Sequence, residues 1–463
     1  MARSGSTALA VLSNRGPVSF DHDDAGNLQA RRGGGGMVAA LGPGVREHDA
    51  LWLASALSDA DREATGSGEV VAEGYRLRTV TIDPSRFRQY YDVIANQTLW
   101  FLHHGLWDLP RRPRFDRHWW AAWETFVAVN HEFAVVAAEE LAPNATVLIQ
   151  DYQLSLVGAE LRRLRPDVRS AIFLHTPFCP PSDLQILPEP VATALLTGLA
   201  GAGACGFHSH RWAAAFEACL QERRVPAPEI FVSPAAVDAA GLAEVAASPE
   251  CDRELRRLEA QLGDRRLIVR TDRIELSKNL LRGFHAFDEL LTVAPQWQDK
   301  VIFGAAIYPS RDGLAEYLGY RQEVEAVVRA INSKWGTASW TPILLEMTDN
   351  YPRSVAALRR YDVLMVNPIR DGLNLVAKEG PLVNERDGVL LLSPGAGVWD
   401  ELGSNAVEVH PFDISGTVKA LAAALRMPAD ERATRATGLM KAATARTPLE
   451  WFDDQVAAAR VPA

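Results

Sequence analysis

Three observations predict an α/β fold of two doubly wound, Rossmann-like domains facing each other across a cleft. Short, β-branched apolar runs alternate with segments of helical periodicity along the chain, which predicts parallel sheets. Most of those runs empty into polar, charged or glycine-bearing turns, the edge at which open α/β sheets bind ligands. The 463 residues also exceed what one typical core absorbs. With 48% hydrophobic and 23% charged residues, the composition is that of ordinary globular protein. A net charge of −10 argues against a general nucleic-acid binder, so any anion must be held locally by individual Arg and Lys side chains. Cys179, Cys205, Cys219 and Cys251 form no CxxC pair, which argues against a zinc ribbon or a disulfide framework. No segment reaches membrane-spanning length and the N-terminus lacks a full apolar signal core, so the expectation is a cytoplasmic protein without a membrane partner.

In chain order, Ala8 to Leu12 reads as a buried strand ended by Ser13-Asn14-Arg15-Gly16-Pro17, which puts Arg15 at a strand terminus. Gly33 to Gly36, before a helical run, let backbone N–H groups approach a phosphate, although they carry neither GxGxxG nor Walker spacing. Leu51-Trp52-Leu53 and residues 75–82 read as further strands, and the stretch from Tyr90 to Phe101 as too wet for pure core. Trp119 to Leu141 has the pattern of a long amphipathic helix. The strands Thr146–Ile149 and Ser170–Leu174 then empty into Asp151 and His175, placing both at one sheet edge. His208 and His210 have no third ligand nearby and read as surface histidines rather than a metal site.

The Pro- and Ala-rich segment from Val225 to Glu250 marks the approach to a boundary between residues 1–245 and 246–445. A second sheet opens with Leu267-Ile268-Val269 and runs into Arg273 and Lys278, two cations before a helix at Leu281–Leu291, a pattern that fits a phosphate clamp. Val301 to Ala305 leads likewise to Arg311, and Thr341–Leu345, Val363–Val366 and Val389–Leu392 continue the strands. After Val366, Asn367-Pro368 stops the strand, Arg370-Asp371-Gly372 makes a turn, and a helix is expected from Leu373 onward. Such a turn is either an ordinary connection or an anion site at a helix N-terminus, with Asp371 and Glu379 accepting from hydroxyls of a phosphorylated sugar.

SNRGP (13–17), GGGGM (33–37), YYDVIANQTLW (90–100), QDYQL (150–154), FLHTPF (173–178), DRIELSKN (272–279), PSR (309–311), NSKWGTASWTPI (332–343) and NPIRDGLNLVAKE (367–379) occur in order across both halves. Over almost its whole length the chain resembles the trehalose-6-phosphate synthases, retaining glycosyltransferases of family 20 with the GT-B fold. The resemblance implies a C-terminal helix, Leu449 to Arg460 within residues 446–463, returning to the N-terminal domain. It implies transfer of glucose from GDP-glucose or UDP-glucose to glucose 6-phosphate, without a cofactor or metal, by a protein that acts on small molecules, with a homo-oligomer left open. Arg15, Trp52, Tyr91, Trp100, Asp151 and Arg311 correspond to the acceptor pocket, with Arg15 and Arg311 on the phosphate. Gly34 and Gly35 correspond to the loop over the donor diphosphate, Arg273 and Lys278 to its clamp, and Asp371, Gly372, Leu373, Asn374, Leu375 and Glu379 to the rest of the donor site. Asp151 and His175, with the clamp pair, are the implied catalytic residues.

Gln150 and Gln153 stand where histidines are familiar in the family, Asn279 where glycine is common, and Cys179 where proline is common. The Ser-Lys-Asn form resembles a branch associated with GDP-glucose. It is also similar to pseudo-glycosyltransferases that couple a nucleotide-cyclitol to an amino-cyclitol phosphate, which is the alternative reading. A non-catalytic sugar-phosphate sensor would have lost the clamp, and Arg273 and Lys278 are both present.

Overall fold

The apolar runs form strands buried on both faces, as helices packed on each side of a parallel sheet require. In the computed structural model, which describes residues 6–23, 25–33, 36–66, 68–311 and 313–460, the chain divides into two units. Unit 1 is Met1–Ala235 with Thr447–Ala463, and unit 2 is Ala236–Arg446.

Unit 1 contains β1 (Thr7–Leu12), β2 (Val18–His22), β3 (Leu28–Arg32), β4 (Leu51–Ala56), β5 (Val70–Ala72), β6 (Tyr75–Thr81), β7 (Leu141–Gln150), β8 (Arg169–Leu174), β9 (Ala204–Phe207) and β10 (Glu229–Val232). β2 and β3 pair as a separate hairpin, and the main sheet runs β10-β9-β8-β7-β1-β4-β6-β5. It is parallel except for β5 at its edge. The strand order reverses beside β1, with β4 on one side and β7 on the other, which makes the ends of β1 and β7 a topological switch point. The returning helix Pro448–Ala459 starts from a capping box of Thr447 and Glu450. Its Trp451 and Phe452 are fully buried, and Trp451 donates its indole N–H to the Ser233 carbonyl at 3.0 Å.

Unit 2 contains β11 (Arg266–Arg273), β12 (Val301–Tyr308), β13 (Ile343–Glu346), β14 (Val363–Val366), β15 (Val389–Leu392) and β16 (Val407–Glu408). They form one parallel sheet in the order β13-β12-β11-β14-β15-β16. This is the doubly wound order of dinucleotide-binding sheets, with its switch point between β11 and β14. No helix of the described residues is long and apolar enough to cross a membrane.

Four expectations change. The boundary falls at 235/236 rather than 245/246, because Val237 and Leu242 pack with Cys251, Val355 and Ala356 in the core of unit 2. The helix expected from Leu373 is Val376–Val383, because Asn374 adopts φ 85°, a left-handed conformation no helix continues. The stretch called wet is largely interior: Gln89–Trp100 is a π-helix that buries Tyr90, Ile94, Asn96, Leu99 and Trp100. His208 is not a surface histidine but is 4% exposed, whereas His210 is exposed.

Candidate active site

The loop after β1 is built by its own side chains. Ser13 Oγ donates to the Arg15 carbonyl at 2.7 Å and accepts the Trp52 indole N–H at 2.7 Å. Arg15 is thereby carried outward, exposed, with its guanidinium carbon 6.0 Å from the centre of the Tyr91 ring. Trp52 is a correction to the acceptor-pocket expectation. Every residue of β4 is buried, and Trp52, 0% exposed, meets Tyr75 edge-on and offers no surface to a ligand. Its reach into the site is indirect, through Ser13. Trp100 stacks on His104 with ring centres 3.9 Å apart and is 7% exposed. Gly34 and Gly35 lie outside the described residues.

At the end of β7, Asp151 has φ 72°, and its Oδ1 accepts the backbone N–H of His175 at 3.1 Å. The two residues expected at one sheet edge therefore meet there. Each ring nitrogen of His175 is engaged, Nε2 with Gln150 Oε1 at 3.0 Å and Nδ1 with His208 Nε2 at 3.2 Å. Burial pushes its pKa down to about 4, so the ring is neutral at physiological pH.

In unit 2 the cations gather at the switch point. Lys278 Nζ is 2.5 Å from Asp371 Oδ2, which also accepts from Asn374 Nδ2 at 3.0 Å. Burial pulls the Lys278 pKa down, but the charges of Asp371, Asp272 and Glu275 outweigh it and hold the ammonium above its ordinary range. Asn374 Oδ1 accepts the N–H of Ala377 at 3.2 Å and so ties the 371–375 turn to the helix that carries Glu379. The Glu379 carboxyl is pushed up to about 7 by burial.

Two residues outside the expected set organise these cations. Glu275, 0% exposed, sets one oxygen 3.1 Å from Arg273 Nη1, 2.5 Å from Arg311 Nη1 and 3.1 Å from Ser310 Oγ. Arg273 and Arg311, expected on different substrates, thus share one carboxylate. Its charge is the main influence holding the Arg273 pKa above its usual range. Arg270, also 0% exposed, donates to the Lys278 carbonyl at 2.9 Å, to Asn367 Oδ1 at 3.0 Å and to Asp272 Oδ2 at 3.1 Å. It therefore fixes the turns after β11 and β14 together. An arginine inside the apolar run of β11 and a carboxylate between two cations were the available signals. Among the described residues no group of three or more His, Cys, Asp or Glu is arranged to hold a metal ion.

Arg273, Lys278 and Asp371 thus gather at the switch point of the unit 2 sheet, the edge at which doubly wound sheets bind ligands. The model of glycosyltransferase family 20 matches residues 7–460, and the chain belongs to that family. It is thus a glycosyltransferase. It is 32% identical over 485 aligned positions to the trehalose-6-phosphate synthase of Mycolicibacterium smegmatis, covering 98% of this chain and 93% of that one. Its fold matches the crystal structure of an α,α-trehalose-phosphate synthase (UDP-forming) from Burkholderia vietnamiensis, with TM-score 0.86 and 27% identity over 98% of this chain and 100% of that one. It also matches a UDP-forming enzyme from Burkholderia xenovorans in complex with glucose-6-phosphate, with TM-score 0.85 and 28% identity over 98% and 99% of the two chains. The resemblance read in the sequence and the GT-B class are borne out.

Proposed function

We propose that the protein is an α,α-trehalose-6-phosphate synthase that transfers glucose from UDP-glucose or GDP-glucose to glucose 6-phosphate with retention of configuration. The observation that carries the reading is the cluster of Arg273, Lys278 and Asp371 at the switch point of unit 2. It sits where a doubly wound sheet receives a diphosphate, in a chain whose relatives carry the name trehalose-6-phosphate synthase.

Breaking the anomeric bond leaves negative charge on the diphosphate and positive charge on the sugar ring. In the proposed reaction Arg273 and Lys278 stabilise the leaving phosphate as that charge grows, helped by the N-terminus of the helix Val376–Val383. Lys278 exchanges the Asp371 carboxylate for the diphosphate, which frees Asp371 for sugar hydroxyls, and Glu379 takes the donor's ribose. Arg15 and Arg311 hold the acceptor phosphate, with Tyr91, Trp100 and Asp151 about the acceptor sugar. Asp151 and His175 serve the transferred glucose. Retention follows from attack on the face that the phosphate leaves, the departing phosphate taking the acceptor's proton. The reaction so written needs no metal.

Incubating the protein with glucose 6-phosphate and each of UDP-, GDP- and ADP-glucose, with nucleotide release and product followed together, tests the reading. Trehalose 6-phosphate is expected with the UDP or the GDP donor, and excess chelator should leave its formation unchanged. Absence of transfer from all three donors refutes the function, and loss of activity in chelator restored by a divalent ion refutes the metal-free step.

A further inference from the structure

A line of polar side chains runs through unit 1, and the proposed reaction uses only His175 among them. At one end the backbone N–H of Ala235 donates to His208 Nδ1 at 3.2 Å. His208 Nε2 lies 3.2 Å from His175 Nδ1, and His175 Nε2 lies 3.0 Å from Gln150 Oε1. Gln150 Nε2 donates to Gln455 Oε1 at 3.0 Å. His208, Gln150 and Gln455 are all buried.

The direction of every bond follows from the first. A backbone N–H only donates, so His208 Nδ1 is bare and the one proton of the neutral ring sits on Nε2. That proton points at His175 Nδ1, which must accept, so the His175 proton sits on Nε2. It donates to the Gln150 oxygen, which turns the Gln150 amide nitrogen towards Gln455. Reversing the Gln150 amide would require both rings to switch tautomer. That switch would aim the His208 Nδ1–H at the Ala235 N–H, donor against donor. A fixed backbone group thus settles an assignment that amide and imidazole placement alone leave open.

We infer that His208, Gln150 and Gln455 are positioning residues that hold His175 as its neutral Nε2–H tautomer, in one orientation beside Asp151. Its bearing on turnover rests on the function proposed above; the tautomer itself does not. Protonating His175 would set an Nδ1–H against the His208 Nε2–H, an uncompensated contact between two donors. Two charged groups near the line are Asp151, which accepts the His175 backbone N–H, and Asp454, beside Gln455, which accepts from Ser233 Oγ at 2.8 Å. Phe173 and Trp451 pack against the ring, with centres 5.3 and 5.8 Å away. Ala235 is the last residue of unit 1 before the chain passes to unit 2, and Gln455 lies on the segment by which it returns. The line therefore ties the two sequence segments of unit 1 together.

Two-bond ¹H–¹⁵N NMR spectra of histidine-labelled protein read the tautomers without substrate. His175 and His208 are both expected as Nε2–H tautomers near pH 7. His208→Gln, whose amide accepts from Ala235 and donates to His175, should preserve the His175 pattern, and His208→Phe should abolish it. In turnover, His208→Phe should lower kcat on the order of tenfold or more with acceptor KM little changed, and His208→Gln should restore most of it. The unsubstituted protein decides the tautomer even if His208→Phe does not fold. A cationic or Nδ1–H His175 near pH 7, or an unaltered His175 pattern in folded His208→Phe, overturns the inference. An intact tautomer with unchanged kcat in His208→Phe overturns the positioning role. Absence of transfer from every donor would refute the proposed function while the spectra still judge the tautomer.

Discussion

Glu275 holds two guanidinium groups on one buried oxygen, so its charge is felt at both ends of the proposed reaction. Glu275→Gln keeps the volume and removes the charge, leaving Arg311, 9% exposed at its side chain, beside a neutral amide. Removing one charge of a buried ion pair costs several kcal/mol, so both donor and acceptor specificity constants should fall on the order of tenfold to a hundredfold. Near-normal steady-state constants would refute that role. Lys278→Ala acts on the barrier instead, and losing one such donor costs on the order of 3 kcal/mol, more than a hundredfold in kcat. Turnover that stays near normal with saturating donor would remove Lys278 from the clamp. Glu379 gives a stability signature, because burial raises its folded pKa to about 7, above the ordinary carboxyl range. Its protonated form is favoured on folding, so that stability is present below the unfolded pKa and is lost as pH rises through the folded one. Glu379→Gln should flatten the stability curve between these limits, read as urea midpoints across pH; an unchanged slope would contradict the burial argument. Arg273, Lys278 and Asp371 were legible because charge directly after an apolar strand has few structural uses. Trp52 entered through the resemblance, which carries a residue's position but not the burial of its whole strand.

Turns in left-handed conformation set the geometry between strands and helices. Asn279, φ 60°, separates the 3₁₀ turn carrying Lys278 from the helix Leu280–Val293. Its amide donates to the Asn367 carbonyl at 3.0 Å and the Pro411 carbonyl at 2.6 Å. Asparagine tolerates this conformation better than most residues, which explains how it stands where glycine is common in the family. Asn279→Val should cost about 1–3 kcal/mol from backbone strain alone, with the two lost bonds adding to it. Asn279→Gly should lose only the bonds, so thermal midpoints should rank native, glycine, then valine. A valine variant as stable as the glycine variant would contradict the backbone argument. The strands β14 and β15 were legible to the residue, since runs of four apolar residues between turn signals leave little freedom. The start of the following helix was not, because Leu373, Val376 and Ala377 keep helical spacing across a residue whose φ forbids a helix. Periodicity records which side chains are apolar, and the backbone at Asn374 is decided by its bonds to Asp371 and Ala377.

Unit 1 is discontinuous in sequence, and that decides how the chain fails. Its last helix, Pro448–Ala459, lies more than two hundred residues beyond Ala235, yet it buries Trp451, Phe452, Val456 and Ala459. Phe452 packs where Gly44 leaves room in the helix Gly36–Glu47, and Gln455 meets Gln150 at the end of β7. Both that helix and its return to the N-terminal domain came from the resemblance, since nothing local says which sheet it covers. Removing a buried Trp or Phe side chain costs about 3–5 kcal/mol each, against a total stability of roughly 5–15 kcal/mol for a domain. Ending the chain at Arg446 should therefore unfold unit 1 and leave unit 2, continuous from Ala236 to Arg446, with its core intact. Hydrogen exchange on the shortened protein should show protection lost from β1, β4, β7 and β8 and kept in β11, β12, β14 and β15. Trp451→Ala in the full chain should lower the unfolding midpoint of unit 1 alone. If β1 and β7 stay protected without residues 447–463, the helix is an accessory to unit 1 and not part of its core.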